Sequence, residues 1–87
     1  MASAQMQARV LILLETVAVI ERSGRVCTSV EVAHVLSTSG HHDLLNSVRE
    51  RLLTIARQAG LLRSGAGIWS LTPDGRAALA AGRVDLP

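Results

Sequence analysis

Apolar residues recur at helical spacing from position 3 to position 23, where Met6, Val10, Leu13, Leu14, Val17 and Ile20 fall three or four apart and Gly24 supplies a C-terminal stop. Between positions 10 and 20 only Glu15 and Thr16 are polar, so the apolar surface wraps most of the way round this first helix. A helix that is apolar on nearly all sides must be buried on more than one of them. The expectation is that a second copy of the chain covers part of it. This makes a homodimer with Met6, Val10, Leu11, Leu14, Val17 and Ala18 at the interface. The alternatives are a central core helix and docking to a different protein.

The pattern then shortens. Arg25-Val26-Cys27 reads as a small strand, and Thr28-Ser29-Val30-Glu31 has the spacing of a capping box, a hydroxyl at the N-cap and a carboxylate three residues on. The spacing predicts a second helix to about Ser37, with Val32, Ala33 and Leu36 facing inward, and a turn over Ser37-Thr38-Ser39-Gly40. A third helix is expected over 42–59 with Gly60 as its cap. At 100° per residue, Leu45, Val48, Leu52, Ile55, Ala56 and Ala59 form one stripe, and Asp43, Asn46, Ser47, Glu50, Arg51, Thr54, Arg57 and Gln58 form the other. Leu61-Leu62-Arg63 and Ile68-Trp69-Ser70-Leu71 flank Ser64-Gly65-Ala66-Gly67, which is the grammar of a β-hairpin. Thr72-Pro73-Asp74 opens a last helix with an N-cap, a Pro at the first position and an acid in the first turn, and Gly82 ends it.

The expected fold is therefore mainly α with a small β-hairpin (α+β), in the order helix, short strand, helix, turn, helix, hairpin, helix. Eighty-seven residues suit one small domain, 1–87, with one core. At this size only about 60–65% of the unfolded surface is buried, which makes stability modest and a partner subunit helpful.

This order, together with Trp69-Ser70-Leu71-Thr72-Pro73-Asp74-Gly75-Arg76, resembles a winged helix-turn-helix domain. The segment is similar to the W-x-L-T-x-x-G-R ending found in PadR- and MarR-type regulators and in the N-terminal domain of Mrr-type restriction proteins. The resemblance implies sequence-specific binding of double-stranded DNA by a small dimeric transcriptional regulator. The third helix would enter the major groove and the hairpin, or wing, would lie on the backbone. In 87 residues no nuclease domain and no effector domain is expected beside this one.

Composition adds constraints. The net charge is +2, and all nine basic residues are Arg. Arg forks suit phosphate and base edges, although GC-rich coding produces the same bias. Residues placed to meet DNA are His42, Asn46, Ser47, Glu50, Arg51 and Thr54 on the third helix, Arg57 towards its end, and Arg63 at the base of the wing. Arg49 lies at the edge of the core stripe, where a structural, snorkelling role competes. Asp43 and Glu50 share the exposed face with these Arg residues, which is the charge balance expected of a protein-binding module, the alternative function. Trp69 reads as a core residue, with base stacking the other option.

Cys27 is alone and reads as a small buried hydrophobe, and His34, His41 and His42 lack metal-ligand spacing. No nucleophile elbow, glycine-rich phosphate loop or carboxylate pair is present, so no catalytic residue, metal, cofactor or small-molecule ligand is expected. Val10 to Ile20 is too short to span a bilayer and lacks a signal-peptide cleavage site, which points to a cytoplasmic protein without a membrane partner.

Overall fold

A computed structural model of the chain describes residues 4–45 and 47–86. In chain order the elements are α1 (Ala4–Arg22), α2 (Ser29–Thr38), a 3-10 turn (His42–Leu44), α3 (Ser47–Gln58), β1 (Leu62–Gly65), β2 (Ile68–Leu71) and α4 (Pro73–Ala81). The described residues thus form a mainly helical α+β fold with a two-stranded antiparallel sheet.

α1 runs through the centre. It packs against α2, α3, β2 and α4, and Val10, Leu13, Leu14, Val17 and Ile20 are fully buried. This corrects the interface expected from its sequence. Val10, Leu14, Val17 and Ala18 lie in the chain's own core, and only Met6 and Leu11 of the six keep part of their surface. These four are interior because four elements wrap this one helix, so a small chain covers most of it unaided. What remains exposed is a narrower strip, through Ala4, Ala8 and Glu15.

The helix signals work as local chemistry dictates, with one exception. Thr28 sits extended at φ −93° and ψ 166°, and its hydroxyl accepts the Glu31 N–H at 3.1 Å. The reciprocal half of the capping box does not form. The Thr28 N–H donates to Val26 O, and the Glu31 carboxylate turns instead to Arg25, 2.6 Å away.

The single helix expected over 42–59 is interrupted. Leu45 is extended at φ −87° and ψ 168°, which separates the 3-10 turn from α3. A continuous helix would leave Leu44 at the border of the apolar stripe. The break lets Leu44 swing fully into the core and removes Asp43 from the face of α3. Asn46 lies outside the described residues.

In the hairpin, Leu62 pairs with Leu71, Arg63 with Ser70, Ser64 with Trp69 and Gly65 with Ile68. Two-residue periodicity puts Leu62, Leu71 and Trp69 on the inner face, the first two buried and Trp69 partly so against the core. The connection is tighter than the four residues expected. Ala66 and Gly67 alone form it, at φ 53° and 78°, the signs required at both central positions of a type I′ turn.

No strand forms over 25–27; the described sheet has two strands, not three. The segment still runs beside β2, because the Trp69 N–H donates to Cys27 O at 2.8 Å. The next outward donor, Leu71 N–H, finds a side chain rather than a third strand, the Glu21 Oε1 at 2.9 Å. The other Glu21 oxygen accepts from Arg76 Nη2 at 3.0 Å.

The start of α4 is held against the turn after α3. The Thr72 hydroxyl donates to Gly60 O at 2.5 Å and accepts the Gly75 N–H at 3.0 Å. The Thr72 N–H donates to Leu61 O. Gly75 is buried, and a Cβ there would stand 2.2 Å from Leu61 O, so the close approach needs glycine.

Two stability measurements follow. Gly75→Ala should destabilise by about 3 kcal/mol, the upper end of overpacking costs, because backbone rather than a flexible side chain blocks the methyl. Urea unfolding would reveal it as a lowered midpoint. Ala66→Asn should stabilise by about 0.5–1 kcal/mol, since Asn tolerates the left-handed conformation better than Ala and Asn-Gly is the favoured type I′ pair. An unchanged midpoint would show that Ala66 carries no strain.

Candidate nucleic-acid interface

Packing decides which side of α3 faces out. Leu52, Leu53 and Ala56 are buried, with Val48, Ile55 and Ala59 partly so. Glu50, Arg51, Thr54, Arg57 and Gln58 are exposed. Thr54 is central to this strip, its hydroxyl donating to Glu50 O, and Arg51 and Arg57 lie about 60° to either side of it. Arg63 is exposed on the outer face of β1, opposite Leu62. His42 is exposed in the 3-10 turn, and Ser47 is the first residue of α3. Gln58 shares the exposed strip although it was not among the contact candidates.

Glu50 has a role that the sequence did not indicate, and Arg49 takes part in it. Ser29 Oγ, at the start of α2, donates to Glu50 Oε1 at 2.7 Å. Arg49 Nε donates to the same hydroxyl at 3.2 Å, and Arg49 Nη2 reaches Glu50 Oε1 at 3.1 Å. The three side chains bridge the N-termini of α2 and α3. The Ser29 hydroxyl, and after it the Arg49 guanidinium, hold the Glu50 carboxyl below its usual pKa. Arg49 is only 16% exposed along its side chain, so the structural role is the one it takes. No local pattern announces this bridge, because Ser29 stands twenty-one positions before Glu50.

Charge pairing then sorts the surface. Each of the four Glu residues has an Arg partner: Glu15 with Arg22, Glu21 with Arg76, Glu31 with Arg25 and Glu50 with Arg49. Five of the nine Arg residues remain, against three Asp. Among the described residues Arg9, Arg51, Arg57, Arg63 and Arg83 make no ion pair. Three of these five lie on the exposed strip of α3 and the outer face of the hairpin. The acids that had seemed to balance them are accounted for: Asp43 has left the helix, and Glu50 is offset by Arg49. The strip is therefore electropositive.

The remaining polar candidates do not converge. Among the described residues no three His, Cys, Asp or Glu side chains gather in a way that would hold a metal ion. His34 and His42 are exposed and His41 is half-buried. Cys27 is buried, and burial together with the nearby Glu21 and Glu31 carboxylates pushes its thiol pKa from 9.0 up to about 11. Among the described residues no helix is long and apolar enough to cross a membrane. No protein-family model, curated protein or solved structure matches the chain.

The thiol gives a clean pH dependence. A raised folded-state pKa contributes stability that is complete below pH 9 and is lost as pH rises through about 11. The chain has no Lys and no Tyr, and Arg stays charged, so no other side chain titrates in that window. Unfolding free energy should fall by roughly 2 kcal/mol between pH 9 and 11, and Cys27→Ala should flatten the profile. An identical decline in Cys27→Ala would assign it elsewhere.

Proposed function

We propose that the chain is a winged helix-turn-helix domain that binds double-stranded DNA sequence-specifically, as a small transcriptional regulator of the cytoplasm. α2 and α3 are its helix-turn-helix, α3 its recognition helix and the β1–β2 hairpin its wing. The observation that carries this reading is the set of three Arg residues, Arg51, Arg57 and Arg63, that make no ion pair among the described residues and lie on one helix strip and the hairpin beyond it. Unpaired, exposed guanidiniums suit phosphate and guanine, because the fork can bind either bidentately. Arg51, near the start of α3, takes the base-edge role. Arg57 and Arg63 take phosphate roles, and Thr54 and Gln58 lie between and beside them as short polar contacts.

The residues of the Trp69–Arg76 segment support the domain type through what they hold together. Trp69 anchors the wing, Leu71 and Arg76 meet Glu21, Thr72 caps α4, and Gly75 admits Leu61 O. A chain that keeps these contacts keeps the wing fixed beside α3. As a second reading, the chain is a protein-interaction module. It is favoured by three exposed aliphatic residues, Val26 at 59%, Val30 at 77% and Ile68 at 45%, more apolar exposure than a DNA-facing edge needs.

One gel-shift titration with duplex DNA separates the two. Under the first reading, binding weakens steeply with salt, at a log–log slope near −0.9 per phosphate contact. Arg51→Ala should cost about 1–3 kcal/mol on a selected site and relax its sequence preference, whereas Arg57→Ala should weaken all duplexes about equally. Duplex binding that survives Arg51→Ala and Arg57→Ala together would remove α3 from the interface. No retardation at low salt would favour the protein-interaction reading.

A further inference from the structure

The part of α1 that the core leaves uncovered lines an open groove. It has a volume of about 360 Å³ and is lined by Leu11, Ile12, Glu15 and Val19, with Val35 of α2, His41 and Leu79 of α4 at its edges. Along the exposed strip of α1, Ala4 and Ala8 are small and apolar, and Glu15 is the one acidic side chain that lines the groove.

We propose that a second copy of the chain docks on this face, with α1 antiparallel to α1 about a two-fold axis between Leu11 and Ile12. The spacing along α1 selects this register. It sets Leu11 opposite the partner's Ile12, Ala8 opposite the partner's Glu15, and Ala4 opposite the partner's Val19. Small residues meet large ones along the seam, and by symmetry each contact occurs twice.

Charge selects the same arrangement. Arg9 is half-buried and makes no ion pair among the described residues. In this register it lies within one residue, about 1.5 Å of rise, of the level of the partner's Glu15. Glu15 has only a loose tie within its own chain, 3.5 Å from Arg22 with the two side chains 59% and 67% exposed. Such a pair contributes little and leaves the carboxylate able to turn to Arg9. The two Glu15 residues lie seven positions apart along the seam, about 10 Å, so like charges do not meet. Val10, Leu14, Val17 and Ala18 take no part, being interior to each subunit. As a device for presenting two α3 helices to half-sites about 34 Å apart, the dimer rests on the duplex-DNA reading above. The face itself is tested without DNA.

Sedimentation of the full chain from about 1 to about 100 µM is the test. The expected result is a monomer–dimer equilibrium with dimer predominating at the upper concentration. Arg9→Glu and Glu15→Arg should each weaken it by about tenfold or more, and the double exchange should restore it to within about threefold. In a Cys27→Ala background, Leu11→Cys should form a disulfide-linked dimer on oxidation, because the position flanks the axis. A monomer at the upper concentration overturns the proposal, and would leave the groove open to a small apolar ligand, whose sites begin near 300 Å³. A dimer indifferent to both charge reversals, or not restored by the exchange, also overturns it. A stable dimer that fails to shift duplex DNA would defeat the duplex-DNA reading alone.

Discussion

The Glu21 carboxylate is the contact on which the arrangement of this chain depends. It stands near the end of the central helix and uses one oxygen for the Leu71 N–H of β2 and the other for the guanidinium of Arg76 on α4. One side chain thus ties α1 to two elements that lie 50 and 55 positions further along the chain. A two-stranded hairpin is marginal by itself. Here its outer edge is closed by two acceptors, Cys27 O for Trp69 and Glu21 Oε1 for Leu71, and a carboxylate does what a third strand would otherwise do. The same edge explains why 25–27 is extended but not a strand: only one of its carbonyls meets β2, and Thr28 then turns away to cap α2.

With α1 and the hairpin locked together, α3 has little freedom in which face it shows. Its apolar side fills the space between α1 and β1, and Ser29, Arg49 and Glu50 fasten its first turn to α2. That fastening consumes the one acid on the exposed strip. The electrostatics of the strip are therefore a by-product of how the helices are joined. The charge of the whole chain, +2, is small, but pairing every Glu internally concentrates the unpaired positive charge on α3, the hairpin and two outlying sites, Arg9 and Arg83.

Small size has a double effect on α1. Four neighbours suffice to bury its widest apolar arc, which an estimate from the sequence alone assigned to a second subunit. Among the described residues, the strip through Ala4, Ala8, Leu11 and Val19 is left at least partly exposed. The apolar excess visible in the sequence is real, but most of it serves the chain's own core and only a narrow remainder faces outward.

Much of the fold was legible from local chemistry. Thr28 and Thr72 as N-caps, Gly82 as the αL stop, the strand over Ile68–Leu71 and the inward side of α3 follow from hydroxyl reach, glycine conformations and residue periodicity, which act over a few positions. So does the set of exposed residues Arg51, Thr54 and Arg57. What only the tertiary structure decided are matters of long range. Leu44 breaks the third helix because the core has room for it. Glu50 is bound to Ser29 because two helix starts meet. Gly75 must be glycine because Leu61 O arrives there, and four of the six expected interface residues are interior because α1 is surrounded. Sequence determines what each residue prefers among its near neighbours; packing determines which distant group occupies the space beside it, and here that assignment decided which charges were left to face solvent.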